Sequence, residues 1–369
     1  MTPFALRRPF LILRDLFTRR ERPNLRALAS IEDPEDFVWA ILPHAARTFS
    51  ACIAMLPARS ALPAAVAYLY CRMLDTYEDL VPDRAERDAA LRSFAGRLAA
   101  ATGNGRLPSA PSIDDASDRD DRDRAHLLLV RRADLVDRVF LSFVEPTRAV
   151  VRDLVRDMAT GMRWSSAAFE TQGGVLTGEE QLAQYCRHVL GNPVVFGVRL
   201  LRLQRGSRVE LSTDEREDAM RVGEMVQLAN VTRDIEKDLR RGIAYDAELR
   251  GDLGRDAGTA GPDTAERCRV VRERLLRMAL RRAPAYGRII EAIPASRWSV
   301  ARASGVLMLL FTERYFRGCA RRVGLPAWEG PNTTLTLLTR TFRASVSRES
   351  AQREIARIER AFLSAAQAR

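Results

Sequence analysis

Residues 67–80 read AYLYCRMLDTYEDL, and residues 223–245 read GEMVQLANVTRDIEKDLRRGIAY. Apolar residues in both stretches recur at three- and four-residue spacing, which predicts helices that bury one side. The rest of the chain is rich in Ala, Leu, Arg and Glu at the same spacing, and alternating β-branched runs that would predict strands are scarce. We therefore predict an all-α protein. The predicted helices cover residues 35–56, 61–80, 84–101, 125–141, 146–163, 179–204, 213–241, 264–291, 297–322 and 348–367.

The chain has 369 residues, of which 46% are apolar, and this is enough for a packed core. A wholly disordered chain is therefore excluded. Two polar segments, residues 102–124 and 251–263, bury too little to be ordered by packing, and we expect mobile surface loops there. We expect one helical domain over residues 35–322, preceded by a basic amphipathic segment (1–34) and followed by a basic extension (323–369).

The net charge of +11 is concentrated at the two ends of the chain. Residues 1–26 carry +5 and residues 314–369 carry +7. No basic face with interleaved aromatic residues and no nucleic-acid-binding motif is present, so nucleic acid is not an expected partner. Helical spacing of apolar residues among arginines near the N-terminus favours peripheral contact with anionic lipid, and the alternative is a helix docked on the body of the protein. The residues concerned are Leu6, Phe10, Leu13 and Phe17, with Arg7, Arg8, Arg14, Arg19 and Arg20 around them.

The five cysteines are far apart in the sequence and form no Cys-x-x-Cys pair or Cys/His cluster. Disulfides and structural zinc are therefore not expected, and free thiols in a reducing cytoplasm are the better interpretation. The apolar stretch near the start lacks an Ala-x-Ala cleavage signature. No run approaches the roughly 20 uncharged apolar residues that span a bilayer. We expect an intracellular protein, cytoplasmic or peripherally bound to a membrane.

Three carboxylates share one face of the helix predicted at residues 61–80. Asp75 and Asp79 are four residues apart and Glu78 is three from Asp75, with Arg72 one turn earlier and Tyr68 two turns earlier. Like charges placed in this way repel one another. A helix tolerates that cost most readily when a cation lies between them.

A second polar stripe follows the helix predicted at residues 213–241. Gln227, Asn230, Asp234 and Asp238 lie at spacings of three, four and four inside a largely apolar stretch. Oxygen ligands without His or Cys favour a hard cation, and Mg²⁺ is commonly completed by substrate phosphates. Two such stripes suggest a diphosphate held between two helices by several Mg²⁺ ions. The alternative for each stripe is a set of buried Asp–Arg pairs inside a helical bundle.

These two segments resemble the two aspartate-rich motifs of the squalene and phytoene synthase family. The first is Asp75-Thr-Tyr-Glu78-Asp79, and the second is Asn230-x-x-Arg233-Asp234-x-x-x-Asp238. Three shorter segments agree with the family in order and spacing, and the resemblance covers roughly residues 40–320. They are Arg47-Thr48-Phe49 (Ser-Arg-Ser-Phe in the family), Gly161-Met162 (Gly-Met before a helix break) and Tyr185-Cys186 with Val189 and Gly191 (Tyr-Cys-x-x-Val-Ala-Gly).

The resemblance implies an all-α isoprenoid synthase fold around a central cavity and head-to-head joining of two prenyl diphosphates. It implies that Asp75, Glu78, Asp79, Asn230, Asp234 and Asp238 hold Mg²⁺ and the diphosphates. Arg47, Arg72 and Arg233 would bind phosphate oxygens, while Gln227 and Lys237 are further substrate-binding candidates. Phe49, Tyr68 and Met225 would line a dry cavity, and Tyr185 is the candidate for helping to remove a proton when a cyclopropyl intermediate forms. For the aromatic residues the alternative is ordinary core packing.

The sequence departs from the family pattern at several positions. Lys237, the chain's one lysine, stands where the family usually has Glu, and it is either a solvated rim residue or a contact to a diphosphate. Glu236 could compensate partly for the changed charge. Ala46 replaces a Ser, Ile243 replaces an Arg, and Leu190-Gly191-Asn192-Pro193 replaces the Ala-Gly-x-Val part of the third signature.

We rank the coupling of two farnesyl diphosphates to presqualene diphosphate and squalene first, with NADPH as the candidate reductant. Phytoene-type coupling of geranylgeranyl diphosphate comes next. No Gly-x-Gly-x-x-Gly turn follows a strand, so a nicotinamide would bind in the helical cavity. Two other classes stay open. One transfers a prenyl group to a non-isoprenoid acceptor or to water, and the other is a catalytically poor partner or lipid-binding protein on the same scaffold.

Overall fold

The computed structural model describes residues 4–17, 22–46, 48–100, 106–114, 119–254, 262–293, 298–331 and 333–368. Across these ranges the chain is helical, and its β-structure is limited to one isolated bridge between Val175 and Ala244. The all-α prediction is confirmed. The chain divides into two compact units. The first unit is Met1–Arg163 with Arg199–Val209, and the second is Trp164–Val198 with Glu210–Arg369.

The first unit is built around two helices, α3 and α5, which pack on each other and on α4, α7 and α8. Asp83 and Asp120 accept hydrogen bonds from backbone N–H groups and so cap the starts of α6 and α7. The bounds are α1 Phe4–Phe17, α2 Leu25–Ala29, α3 Pro34–Ala46, α4 Thr48–Met55, α5 Ala58–Leu80, α6 Arg84–Ala99, α7 Asp121–Arg131, α8 Ala133–Leu141 and α9 Glu145–Thr171. The part of α9 after Arg163 belongs to the second unit.

A buried ion pair fixes α6 and α8 beside the central α5. Arg97 pairs with Asp137, and the Tyr70 hydroxyl donates to the same carboxylate at 2.9 Å. Phe94 and Phe140 pack edge-on against the Tyr70 ring. Burial, together with the neighbouring carboxylate, raises the pKa of Tyr70 well above its usual value. The phenol therefore stays protonated and acts as a fixed hydrogen-bond donor in the core.

Helix α1 is docked on the first unit through one side. Leu11 is buried against it, Arg8 donates to the Leu56 carbonyl at 2.9 Å and Arg14 donates to the Trp39 carbonyl at 2.6 Å. Docking on the body, one of the two interpretations of this segment, is therefore confirmed. Phe10 remains exposed. Arg19 and Arg20 lie outside the described residues.

The segment 102–124, expected to be a mobile loop, is partly bound to the helices beside it. Arg97 donates to the Pro108 carbonyl and Tyr77 donates to the Pro111 carbonyl, both at 2.7 Å. Helix α7 begins at Asp121, inside the predicted loop. Within residues 251–263, Asp252 is fully buried, and hydrogen bonds from Thr264 and Arg267 compensate its lost hydration. The described parts of both segments are therefore held by hydrogen bonds.

Helix α12 is the centre of the second unit and packs against α10, α13, α14 and α15. A capping box between Ser212 and Glu215 fixes its start. The bounds are α10 Glu179–Cys186, a π-helical turn Arg187–Gly191, α11 Asn192–Leu203, α12 Thr213–Arg240, a 3₁₀ helix Ala247–Asp252, α13 Pro262–Leu280, α14 Ala283–Ala292, α15 Val300–Val323, α16 Thr334–Val346 and α17 Arg348–Gln367. The part of α11 from Arg199 onward belongs to the first unit.

Several predicted helix bounds were wrong. Helix α9 continues through Gly161-Met162 to Thr171, so the helix break expected there is absent. The helix predicted at 179–204 is interrupted by the π-helical turn, whose i→i+5 hydrogen bonds differ from those of the α-helix on either side. Helix α16 was not predicted. All five cysteines are buried and free, as expected, and none of the described helices is long and apolar enough to cross a membrane.

Candidate active site

The first acidic stripe is organised by an arginine on the same helix, α5. Arg72 donates to the Tyr68 hydroxyl at 3.2 Å and pairs with Asp75, with 2.9 Å between Nη1 and Oδ2. The Arg72 and Asp75 side chains are 18% and 27% exposed. Glu78 is half-buried and Asp79 exposed one turn later. Arg72 therefore neutralises part of the negative charge of the stripe, and the stripe remains reachable from solvent.

The charges on this stripe perturb one another. Desolvation raises the pKa of Asp75, Arg72 opposes that shift, and Asp79 adds to it. Burial alone would lower the pKa of Arg72, but the Tyr68 oxygen and the Asp75 carboxylate raise it overall. Arg122, in the first turn of α7, also favours the charged form of Asp75. Sequence reasoning missed Arg122 because its proximity arises only from the packing of α7 on α5.

Phe49 and Tyr68 lie together in the first unit. Their ring centroids are 6.0 Å apart, and both side chains are half-buried. Arg47, expected to bind phosphate, lies outside the described residues. The first unit thus brings together Phe49, Tyr68, Arg72 and the three carboxylates of the stripe.

The second stripe continues into a chain of hydrogen bonds within the second unit. Asn230 donates to the Gln227 amide oxygen at 3.1 Å, and Gln227 Nε2 is 3.5 Å from the Tyr185 hydroxyl. The Tyr185 and Tyr245 hydroxyls are 3.3 Å apart. The Phe169 ring packs edge-on against both tyrosines, and its centroid is 6.2 Å from that of Tyr185 and 5.8 Å from that of Tyr245. Sequence reasoning identified Tyr185, Gln227 and Asn230 but missed Tyr245 and Phe169.

Tyr245 reaches Tyr185 because the chain turns sharply after α12. Gly242 has φ of 76°, a left-handed conformation that glycine adopts at little cost. Ala244 then bonds to the neighbouring segment, with its N–H donating to the Gly174 carbonyl at 2.8 Å. A Cβ on Gly174 would lie 2.2 Å from the Gly242 carbonyl oxygen, so this close approach requires glycine.

Arg233 and Asp234, adjacent in α12, form a bidentate ion pair with distances of 2.6 and 2.5 Å. The Arg233 guanidinium also lies 5.3 Å from the centroid of the Tyr315 ring. Lys237 and Asp238 are half-buried one turn later. Each stripe therefore carries an arginine already paired with a motif aspartate. Such an arginine can exchange its carboxylate partner for a phosphate oxygen.

Glu236 does not compensate for Lys237. It binds the buried Arg272, with 2.6 Å between Nη2 and Oε1, and Arg272 also donates to the Thr232 carbonyl at 2.8 Å. Since Glu236 neutralises a buried arginine from α13, the expectation of local compensation was wrong. Met225, which was expected to line a dry cavity, has no exposed surface, and this favours core packing. Ile243, which replaces the arginine usual in the family, lines a small apolar pocket with residues such as Ile235.

The π-helical turn after Tyr185 is fixed on α12 by glycines and buried charges. A Cβ on Gly223 would lie 2.2 Å from the backbone nitrogen of Gly191, so the two backbones are in direct contact. Glu224 is fully buried and accepts hydrogen bonds from Arg187 at 2.6 Å and Arg282 at 2.8 Å. These contacts anchor the turn that directly follows α10 and its Tyr185.

The donor atoms of both stripes fit Mg²⁺. They are carboxylate and amide oxygens, and among the described residues no three His, Cys, Asp or Glu side chains are grouped closely enough to hold an ion by themselves. Mg²⁺ typically takes one or two carboxylates and completes its shell with water and substrate phosphates. In the first unit the residues that would hold Mg²⁺ are Asp75, Glu78 and Asp79, and in the second unit they are Asn230, Asp234 and Asp238.

Comparison with solved structures shows the fold of the protein. The squalene synthase TcSQS in complex with the ligand BPH1237 is similar with a TM-score of 0.67 and 16% identity, covering 90% of this chain and 98% of that one. A dehydrosqualene synthase in complex with a ligand gives a TM-score of 0.51 and 19% identity, covering 89% and 95%. The chain therefore has the all-α isoprenoid synthase fold.

The model of the squalene/phytoene synthase family matches residues 42–327, and this chain belongs to that family. Members of the family are head-to-head prenyltransferases and generally use Mg²⁺ with diphosphate substrates. Lycopaoctaene synthase from Botryococcus braunii is 29% identical over 213 residues. That match covers 57% of this chain and 43% of the relative's length.

Proposed function

We propose that this chain is a Mg²⁺-dependent prenyltransferase that condenses two prenyl diphosphates head to head, with farnesyl diphosphate as the first-ranked substrate. The observation that carries the proposal is the pair of oxygen-rich stripes on α5 and α12, each with a motif aspartate bound to an arginine, in a chain of this family. Presqualene diphosphate would be the first product, and squalene would follow if NADPH supplies hydride.

The protein's own groups prepare the departure of diphosphate. Arg72 and Arg233 would transfer their hydrogen bonds from Asp75 and Asp234 to phosphate oxygens, for which the planar guanidinium is well suited. Bound Mg²⁺ would supply Lewis-acid stabilisation of the charge that develops on the leaving oxygens. Because these groups are fixed before reaction, little reorganisation accompanies the build-up of charge.

The aromatic cluster of the second unit would act on the carbocation that remains. The faces of Phe169, Tyr185 and Tyr245 offer negative potential to a cation, an effect of about 0.5–2 kcal/mol for each ring. Tyr185 would help to remove the proton that leaves carbon as the cyclopropyl ring closes, and its contacts with Tyr245 and Gln227 support this role. Phe49 and Tyr68 would provide a similar apolar, aromatic surface in the first unit.

Product analysis tests this proposal and separates its alternatives. Purified protein is incubated with farnesyl or geranylgeranyl diphosphate, with and without Mg²⁺ and NADPH, and the hydrocarbon-soluble products are identified. A C30 product supports the first-ranked reaction and a C40 product supports phytoene-type coupling. Diphosphate release without either product supports transfer to another acceptor or to water. No diphosphate release contradicts the proposal and supports a non-catalytic scaffold.

Membrane contact through α1 is a separate proposal. Phe10 and Leu13 on its outer side are 68% and 50% exposed, which supports such contact. Arg7, by contrast, pairs with Asp36 at 2.7 Å, and Arg8 and Arg14 donate to carbonyls of the first unit. Apolar contact rather than arginine–headgroup pairing would therefore carry binding through the described part of α1.

Tyr245→Phe is expected to lower kcat about tenfold with little change in KM, because it removes the hydroxyl that orients Tyr185 and leaves the ring in place. Steady-state kinetics with the preferred diphosphate measures both constants. Tyr286→Phe is the matched control, since its buried hydroxyl donates to the Gly305 carbonyl at 2.8 Å in the same unit. Equal kcat values for Tyr245→Phe and the unmodified protein would contradict the assigned role.

Lys237→Glu distinguishes the two interpretations of the lysine. We expect KM for the diphosphate to rise about tenfold, because the substitution replaces attraction by repulsion beside Asp234 and Asp238. Lys237→Arg should keep KM within about threefold, since it preserves the charge. Titration of activity with Mg²⁺ completes the measurement. Unchanged turnover and Mg²⁺ dependence in Lys237→Glu would instead identify Lys237 as a solvated rim residue.

A further inference from the structure

Helix α16 is apolar on two sides, but only one side is packed. Leu337 and Ala344 are buried, on the side where the helix packs against α15 and α17. Leu335 and Phe342 are seven residues apart and therefore lie on a common face, where they are 75% and 63% exposed. Leu338, half-buried, lies between them in the sequence. A surface helix normally presents polar residues on its outer side, so this face is unusual.

A third large apolar residue lies at the end of the same helix. The Ser299 N–H donates to the Ser345 carbonyl at 2.8 Å, and Arg302 Nε donates to the Ala344 carbonyl at 2.9 Å. These bonds fix the start of α15 at the C-terminal end of α16. Trp298, which directly precedes the bonded Ser299, is 66% exposed. We call Leu335, Phe342 and Trp298 the α16 surface.

Arginines predominate around the α16 surface, and one exposed acidic residue, Glu349, follows Arg348. Residues 333–348 contain Arg340, Arg343 and Arg348 and no acidic residue. Arg340 binds Glu354 of α17 at 2.8 Å, whereas Arg343 and Arg348 are exposed. Exposed aliphatic and aromatic side chains flanked by arginines are typical of helices that lie in the interface of an anionic bilayer. Tryptophan is favoured at the level of the lipid headgroups.

We propose that the α16 surface binds the interface of a bilayer that contains anionic phospholipid. Leu335, Phe342 and Trp298 enter the boundary between headgroups and acyl chains, while Arg343 and Arg348 contact phosphate groups. The charge complementarity of this face selects a lipid surface over a second copy of the chain, because two such faces would bring four arginines together. The inference goes beyond the proposed reaction and does not depend on it.

Vesicle binding of the full chain tests the proposal. The protein is sedimented with phosphatidylcholine vesicles that contain no or about 30 mol% phosphatidylglycerol. We expect binding to the anionic vesicles that weakens as salt is added, and a fall of at least about tenfold in the partition coefficient for Leu335→Ser/Phe342→Ser. Val144→Ser, at an isolated side chain that is 68% exposed, should bind like the unmodified protein. Thermal unfolding verifies that each variant is folded.

Two further experiments identify which surface is responsible for vesicle binding. Phe10→Ser/Leu13→Ser tests α1, and loss of binding in that variant with full binding in Leu335→Ser/Phe342→Ser would overturn the proposal. Among the four tryptophans, all within the described residues, Trp298 alone is exposed. Brominated lipid should therefore quench part of the fluorescence, and Trp298→Phe should remove that part. Absence of binding or of quenching overturns the proposal. It is also overturned if sedimentation shows a dimer of the chain and Leu335→Ser/Phe342→Ser dissociates that dimer.

Discussion

Asp75→Ala and Asp234→Ala are each expected to lower the rate of diphosphate release by at least about 10³-fold while leaving the fold intact. Each substitution removes a carboxylate from a motif whose oxygens would hold Mg²⁺, and the charge of the leaving group would then be poorly stabilised. The structural cost is small because both side chains are 27% exposed and the arginines left behind can bind water. Ion pairs at this exposure contribute about 0–1 kcal/mol to stability.

Two control variants match these carboxylates in exposure and partner. Asp88 binds Arg92 and Arg163 in the first unit, Glu273 binds Arg269 and Arg277 in the second, and both acidic side chains are 27% exposed. Asp88→Ala and Glu273→Ala should retain activity within about threefold. Release of diphosphate is measured across a range of Mg²⁺ concentrations, with thermal unfolding in parallel. Activity within tenfold of normal in either motif variant, or equal losses in the controls, would contradict the assignment.

The acidic stripes could be predicted because they depend on one helix at a time. Once α5 and α12 are recognised as helices, the repeat of 3.6 residues per turn places Asp75 with Asp79 and Asn230 with Asp234, whatever surrounds them. The pairing of Arg72 with Asp75, three residues later, follows from the same geometry. Buried Asp–Arg pairs were the alternative interpretation, and the partial exposure of both aspartates favours a site that a ligand can reach.

The features that were missed depend on contacts between distant segments. Tyr245 becomes part of the site through a turn after α12 and its bonds to residues near Gly174. Nothing in the sequence distinguishes Glu224 from other charged residues. Arg187 and Arg282 come close to it only because the π-helical turn and α14 pack on α12. Helix α16 was missed because its threonines have low helix propensity, and contacts with α15 and α17 outweigh that preference.

Gly223→Ala is expected to destabilise the second unit by about 1–3 kcal/mol, although alanine is intrinsically the better helix former. The added methyl group would lie 2.2 Å from the nitrogen and 2.4 Å from the Cα of Gly191, and both are backbone atoms that cannot rotate away. The gain in helix propensity is about 1 kcal/mol, so the steric cost dominates. Separation of α12 from the π-helical turn would also displace Tyr185 from Gln227 and lower activity.

Gly318→Ala provides the matched control, because Gly318 lies in α15 of the same unit and a Cβ there would meet nothing within 4 Å. The two substitutions make the same chemical change inside a helix, but they should act in opposite directions. Gly318→Ala should raise the thermal midpoint by an amount corresponding to about 1 kcal/mol or less, and Gly223→Ala should lower it. If Gly223→Ala unfolded at or above the midpoint of the unmodified protein, the close contact between α12 and Gly191 would be refuted. The fixed position of Tyr185 that this contact supports would then lose its physical basis.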